Sequence, residues 1–263
     1  MSNNFIFDTH LFKQLLKAKL VNIRSVLVER IINIYVWAGS TIFVTGYLMQ
    51  SFGLTQNFGP FQLAGILAAV GLFELYGNTI TLVADIEGDC VIVYYLTLPS
   101  SIVTILLSYV CYFFIISMSM CFTLIPFSKL ILWRQFNLFD VAWIKWLFFI
   151  VLINFFWAIL PFVLVSYLWS IERLRLLWIR IIFPLWMFGG FQFSWMTIHS
   201  FAPLLSYVML LNPVMYATEG IRAALLGQDG YISFWICFLV ITLFCIITSW
   251  WGIKALKKRL DLV

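Results

Sequence analysis

Charge is what this sequence has least of: Asp, Glu, Lys and Arg make up 10% of its 263 residues, against about 25% in soluble domains. Apolar residues reach 63%, where soluble domains hold about 45–50%. A globular core of this length cannot keep so much apolar side chain from water, so the surplus is expected to face lipid. Histidine is nearly missing, with only His10 and His199. The five cysteines (Cys90, Cys111, Cys121, Cys237 and Cys245) form no C-x-x-C pair. That leaves no basis for a structural zinc site, and no metal is expected in this chain. Four of the cysteines sit in apolar runs and read as small packing residues. Neither a G-x-x-x-x-G-K-[ST] phosphate loop nor a helix-borne H-E-x-x-H occurs. The first ten residues carry no Lys, no Arg and no apolar run, so no signal peptide is expected.

What is present is an all-α pattern of apolar runs, each near the 20 or so residues that cross a bilayer. Residues 8–30 read as a basic amphipathic helix lying in the interface. Leu11, Leu15, Leu16, Ile23 and Leu27 share one half of its wheel, Lys13, Lys17 and Arg24 the other, and Lys19 and Asn22 break the pattern. Six spans follow, at about 31–49, 61–84, 99–125, 141–168, 181–199 and 231–253, so that residues 1–263 read as one transmembrane domain, with its spans over 31–253 and a tail over 254–263. Pro126 is expected to end the third span and Pro161 to kink the fourth. Residues 200–230 are apolar but broken. Asn212-Pro213 reads as an N-cap with Pro at the first helical position, and Gly227 as a stop. The helix between them is too short to cross, and Glu219 and Arg222 stand three apart, able to pair. This predicts a re-entrant hairpin tolerated only where protein covers it.

The net charge of +5 is read as a topology signal, with no nucleic-acid partner. Twelve Lys and Arg residues fall in the N-terminal segment, in 169–180 and in the tail, against Lys129, Arg134, Lys145 and Arg222 on the other side. The twelve belong in the cytoplasm, with both termini. Twelve Trp and 11 Tyr suit interfacial belts.

Few residues carry chemistry. Glu74 is the acid well inside a span. It reads either as a path or interface residue, or as a neutral carboxyl bonded to Tyr76, Asn78 or Thr79. The stripe containing Trp186, Phe191 and Trp195 either lines a path for an amphiphile or packs against lipid and helices. The loop with Asp85, Glu87, Gly88 and Asp89 could hold Mg²⁺ in an enzyme acting on lipid phosphates. It reads more simply as a solvated docking surface, since it contains no Lys or Arg to hold a phosphate.

The segment NPVMYATEGIRAALLGQ, from Asn212 to Gln228, resembles the Asn-Pro…Glu-x-x-Arg…Leu-Gly stretch before the last span of type-2 ABC exporter permeases. The run DIEGDCVIVYYLTLPSS looks like that family's acid-Gly…Leu-x-x-Pro loop. The resemblance covers essentially the whole layout. It implies a non-enzymatic transport subunit of a bacterial inner membrane, paired as a homodimer or with a sister permease. Two ATP-binding subunits would supply ATP and Mg, which this chain does not bind. Asp85, Glu87, Gly88, Asp89 and Pro99 would form the ATPase-coupling loop, with Glu172, Arg173 and Arg175 in a second cytoplasmic contact. The implied substrate is amphiphilic: a drug, a lipid or a lipid-linked glycan. A lipid-phosphate enzyme and a secondary transporter are the alternatives.

Overall fold

The computed structural model describes residues 8–53, 58–97, 101–167 and 171–260, with the backbone alone at 96, 171–173 and 260. Pro99 lies outside the described residues. Every element described is helical.

Helix α1 (Thr9–Leu20) starts where the Asp8 carboxylate accepts from the backbone N–H groups of His10 and Leu11, satisfying two orphan donors. It stops at Val21–Asn22, so the expected single helix over 8–30 is two pieces. Residues 23–30 instead open α2 (Ile23–Phe43). Asn22, one of the two residues that interrupt the amphipathic pattern, sits at the break with non-helical dihedrals (φ −99°, ψ 12°). The helical run continues through a π turn and a 3₁₀ turn to Phe52, and Gly53 (φ +92°) ends it.

Helix α3 (Phe58–Ala84) passes into a π-helical turn, Asp85–Asp89, and then the short α4 (Val91–Leu96). Helix α5 (Ile102–Ile131) is capped by Ser101 and carries Pro126 inside it, so that proline does not end the helix as expected. Helix α6 (Trp143–Tyr167) holds Pro161 in its interior. The last long helix, labelled α12 below (Phe234–Leu260), absorbs most of the expected tail.

Five runs are long and apolar enough to cross a membrane: Ile23–Phe52, Phe58–Asp89, Ile102–Ile131, Trp143–Tyr167 and Phe234–Arg259, with mean hydropathy from 1.4 to 2.6. The stretch expected at 181–199 is not one helix. Instead α7 (Ile171–Leu177), a π turn (Trp178–Ile182) and α8 (Phe183–Met187) form a continuous arm, which residues 188–194 interrupt. After the interruption come α9 (Trp195–Phe201), α10 (Pro203–Met209) and α11 (Pro213–Leu225).

Helix α3 is the centre of the bundle, packed against α2, α5, α6 and α11. Close approach depends on glycine. A Cβ on Gly71 would lie 2.4 Å from Trp157 Cδ1, and one on Gly220 would lie 2.1 Å from Phe149 Cε1. Trp157 uses the space to lie against α3 and donate its indole N–H to the Ala68 carbonyl at 3.2 Å. Both described chain ends lie at one end of the bundle. Asp8 N–H bonds Thr104 at the start of α5, and Arg259 bonds the Val165 carbonyl at the end of α6. In the most apolar window of the α2 and α12 runs, only 22% and 28% of residues are buried, against 56–67% for the other three.

Candidate functional site

Residues 188–194 break the helical run in the middle of an apolar stretch, and side chains of α11 and its N-cap bond several of the carbonyls this leaves open. Asn212 Nδ2 donates to the Leu185 carbonyl at 2.7 Å, and Thr218 Oγ1 donates to the Gly189 carbonyl at 2.8 Å. Arg222 donates to the Phe191 carbonyl at 3.1 Å and the Phe193 carbonyl at 2.9 Å. Glu219 Oε1 accepts from the Trp195 N–H at 3.2 Å, and Oε2 from the Ile232 N–H at 3.1 Å. The expected Glu219–Arg222 pair forms at 3.3 Å, with both side chains fully buried. The guanidinium lies over the Phe61 ring, 3.5 Å from its centroid. Thus Asn212, Thr218, Glu219 and Arg222 fasten the interrupted segment and its two flanks at five backbone points, two of them held by Arg222. A buried ion pair is tolerable only when its remaining hydrogen-bonding positions are filled, and here backbone groups fill most of them.

The local sequence explains the geometry. Asn212 caps α11 by accepting from Val214 N–H at 2.9 Å, and Pro213 takes the first position, where its missing N–H costs nothing. The expected break at Asn212-Pro213 is observed. Gly190 (φ +75°) makes the turn, and Gly189 lets it sit on α11, since a Cβ there would lie 2.4 Å from Val214 Cγ1.

A second feature lies between α2 and the α7–α8 arm, with α3 as its floor. It is a cleft of about 430 Å³ walled by Trp37, Phe73, Trp178, Phe183 and Trp186. Arg30 and Glu74 face it as a direct ion pair, their side chains 24% and 13% exposed. Glu74 therefore pairs with Arg30, not with Tyr76, Asn78 or Thr79. Asn78 instead accepts from Arg30 at 3.4 Å, and Thr79 donates to the Leu75 carbonyl. The reading of Arg30 as a topology charge overlooked it as a partner, because helix neighbours are not visible in the sequence. Rings run from the cleft to the clamp: Phe73 contacts Trp186 at 5.8 Å, and Trp186 contacts Phe191 at 4.9 Å. Trp186 and Phe191 thus belong to one aromatic ladder. Trp195 does not: it stacks on His199 at 4.7 Å and donates its indole N–H to the Ser206 carbonyl, inside the α9–α10 hairpin.

At the end that holds Asp8 and Arg259, the three loop acids differ. Both oxygens of Asp85 are used at the start of α4, accepting from Val91 N–H at 3.1 Å and Ile92 N–H at 2.8 Å. Glu87, Gly88 and Asp89 are exposed. Lys19 of α1 reaches the same corner, with its ammonium 3.0 Å from the centroid of the Tyr109 ring and 5.4 Å from that of Tyr95. Burial pulls the Lys19 pKa down to about 8, against an opposing pull from the Asp85 charge. Arg175 is exposed on α7, and the side chains of Glu172 and Arg173 lie outside the described residues.

No protein-family model, curated protein or solved structure matches the chain.

Proposed function

We propose that this chain is the membrane-spanning subunit of an ATP-driven exporter whose ATPase is a separate chain. The α11 clamp carries this reading. The residues that support the resemblance to type-2 ABC exporter permeases, Asn212, Glu219 and Arg222, are the ones that hold a broken segment of the apolar bundle. Irregular backbone inside a bilayer survives only where protein satisfies it, and such an interruption is the kind of feature a transport path needs.

In this reading the 17-residue arm Ile171–Met187 makes the fifth crossing, at the short limit of about 17–25 residues. Helices α10 and α11 dip back from the far side. The 13 residues of α11 reach about 20 Å, short of the roughly 30 Å core. Six crossings put both termini in the cytoplasm of a bacterial inner membrane, beside the Asp85–Asp89 turn, which docks the ATPase. The cleft between α2 and the arm, opened to a second permease copy or a sister chain, forms the path for an amphiphile. A lipid-phosphate enzyme is less well supported, because Asp85 commits both carboxylate oxygens to backbone N–H groups.

Co-purification from native membranes in mild detergent tests the proposal. An ATP-hydrolysing subunit should accompany the chain. A chain that purifies alone, under conditions that keep other membrane complexes intact, would reject it.

A further inference from the structure

We infer that the cleft between α2 and the α7–α8 arm binds zwitterionic amphiphiles and discriminates against those with net charge. The inference rests on the path assigned to this cleft above, but concerns what the cleft selects. Its charged content is a cation and an anion already facing each other, Arg30 on α2 and Glu74 on α3, with the neutral amide of Asn33 beside them in the lining. Among the described residues no other Lys, Arg, Asp or Glu lines it. Its walls are aromatic, and buried charge there is costly unless matched.

Consider what a head group meets. A purely cationic amphiphile that engages Glu74 leaves Arg30 without its counter-charge. An anionic one that engages Arg30 leaves Glu74 so. Either way the low-dielectric cleft gains an unbalanced charge. A zwitterion exchanges partners instead: its anion takes Arg30 and its cation takes Glu74, and the count stays at zero. The walls favour the same ligand. Trp37, Phe73 and Trp186 stand around the pair, with Trp37 and Phe73 rings 4.7 Å apart edge to face, offering π-faces to an ammonium group. Trp186 Nε1–H is a buried donor with no partner among the described residues, available to an anionic head oxygen. Phe183 and Trp178, 44% and 37% exposed, leave the cleft open at its side, where an acyl or aromatic body can enter.

The test uses the full chain in nanodiscs and three dansyl-labelled amphiphiles of one chain length, with phosphocholine, trimethylammonium or sulfate heads. Energy transfer from tryptophan to dansyl reports binding, and unlabelled phosphocholine amphiphile competes it off. The wild-type chain should bind the phosphocholine probe at least tenfold more tightly than either charged probe. Glu74→Gln should turn the preference toward the sulfate head, Arg30→Gln toward trimethylammonium, and the exchange Arg30→Glu with Glu74→Arg should restore the phosphocholine preference. The double variant Arg30→Gln/Glu74→Gln keeps the cleft neutral should either single variant misfold, and should lose head-group selectivity. Wild-type preference for a charged head, or single variants whose order of preference is unchanged, would overturn the inference. Binding is read on this chain alone, so the absence of a co-purifying ATPase would reject the exporter reading and leave this one standing.

Discussion

Arg222 on α11 donates to the main-chain carbonyl of Phe191, 31 residues earlier, and a second arm of the same guanidinium takes Phe193. One side chain therefore stands in for two of the helical hydrogen bonds that the turn at residues 188–194 gives up. Removing one member of a buried pair strands the other, at a cost of about 3–5 kcal/mol. Arg222→Met should destabilise the chain by about that much, and more than Glu219→Gln, because it also orphans two carbonyls. The double variant should cost less than the sum of the two singles. Unfolding in detergent, followed by near-ultraviolet circular dichroism, gives the cycle, and simple additivity would show that the pair does not act as a unit.

Gly189 and Gly88 form a matched pair. A methyl on Gly189 would sit 2.4 Å from Val214 Cγ1 and 2.6 Å from the Leu185 carbonyl, whereas one on Gly88 meets nothing within 4 Å. Gly189→Ala should cost about 1–3 kcal/mol by overpacking, and Gly88→Ala should stay within about 0.5 kcal/mol of wild type. Equal stabilities would mean that the 188–194 turn is not seated on α11.

The Asp85–Asp89 turn separates shape from surface. Asp85→Ala should loosen α4 by about 1 kcal/mol, the typical loss of a capping oxygen. Glu87→Gln with Asp89→Asn should leave the fold intact while lowering substrate-stimulated ATP hydrolysis in the complex. Full stimulation in that double variant would remove the loop from the ATPase contact.

Lys19 gives the docking of α1 a pH dependence. Its pKa in the folded chain is near 8, below the ordinary 10.5, because burial disfavours the ammonium. Between those values the undocked helix binds a proton that the docked helix does not, so docking strengthens as pH rises from about 8 to 10.5. Hydrogen exchange of α1 amides, corrected for the intrinsic pH dependence of exchange, should show protection growing across that window. Lys19→Met should flatten the trend and protect α1 more strongly at pH 7.

Sidedness can be read with thiols. Cys90 is exposed beside the Asp85–Asp89 turn, so an impermeant maleimide should label it only in permeabilised cells. In a Cys90→Ser background, Asp229→Cys should be labelled in intact cells. Labelling of both positions from the same side would sink the re-entrant arrangement of α10 and α11.

The helical class and all five long apolar runs were legible from hydropathy, with α2 beginning earlier than expected, because a crossing helix announces itself by length and composition alone. The Asn212-Pro213 break was equally legible, since capping is chemistry between neighbours in sequence. The Arg30–Glu74 pair was not: it depends on α2 lying beside α3, which no local pattern encodes. The interruption at 188–194 was hidden for the same reason. Residues 181–199 are mostly apolar, and the groups that make breaking them tolerable, Thr218 among them, belong to α11. Gly189-Gly190 is the local trace of that break, within a stretch otherwise expected to be one span.

The clamp also has an order in time. Phe191 leaves the ribosome 31 residues ahead of Arg222, a lag of about 2–6 s at 5–20 residues per second. During that interval the arm and its turn exist without the helix that satisfies them. With the arm as the fifth crossing proposed above, they must wait in the translocation machinery or be shielded by a chaperone, because lipid offers their carbonyls nothing. Biogenesis of the second half of the chain is thus committed only once α11 has emerged, and a ribosome stalled before Arg222 would leave a segment unable to settle in the bilayer and exposed to membrane quality-control proteases.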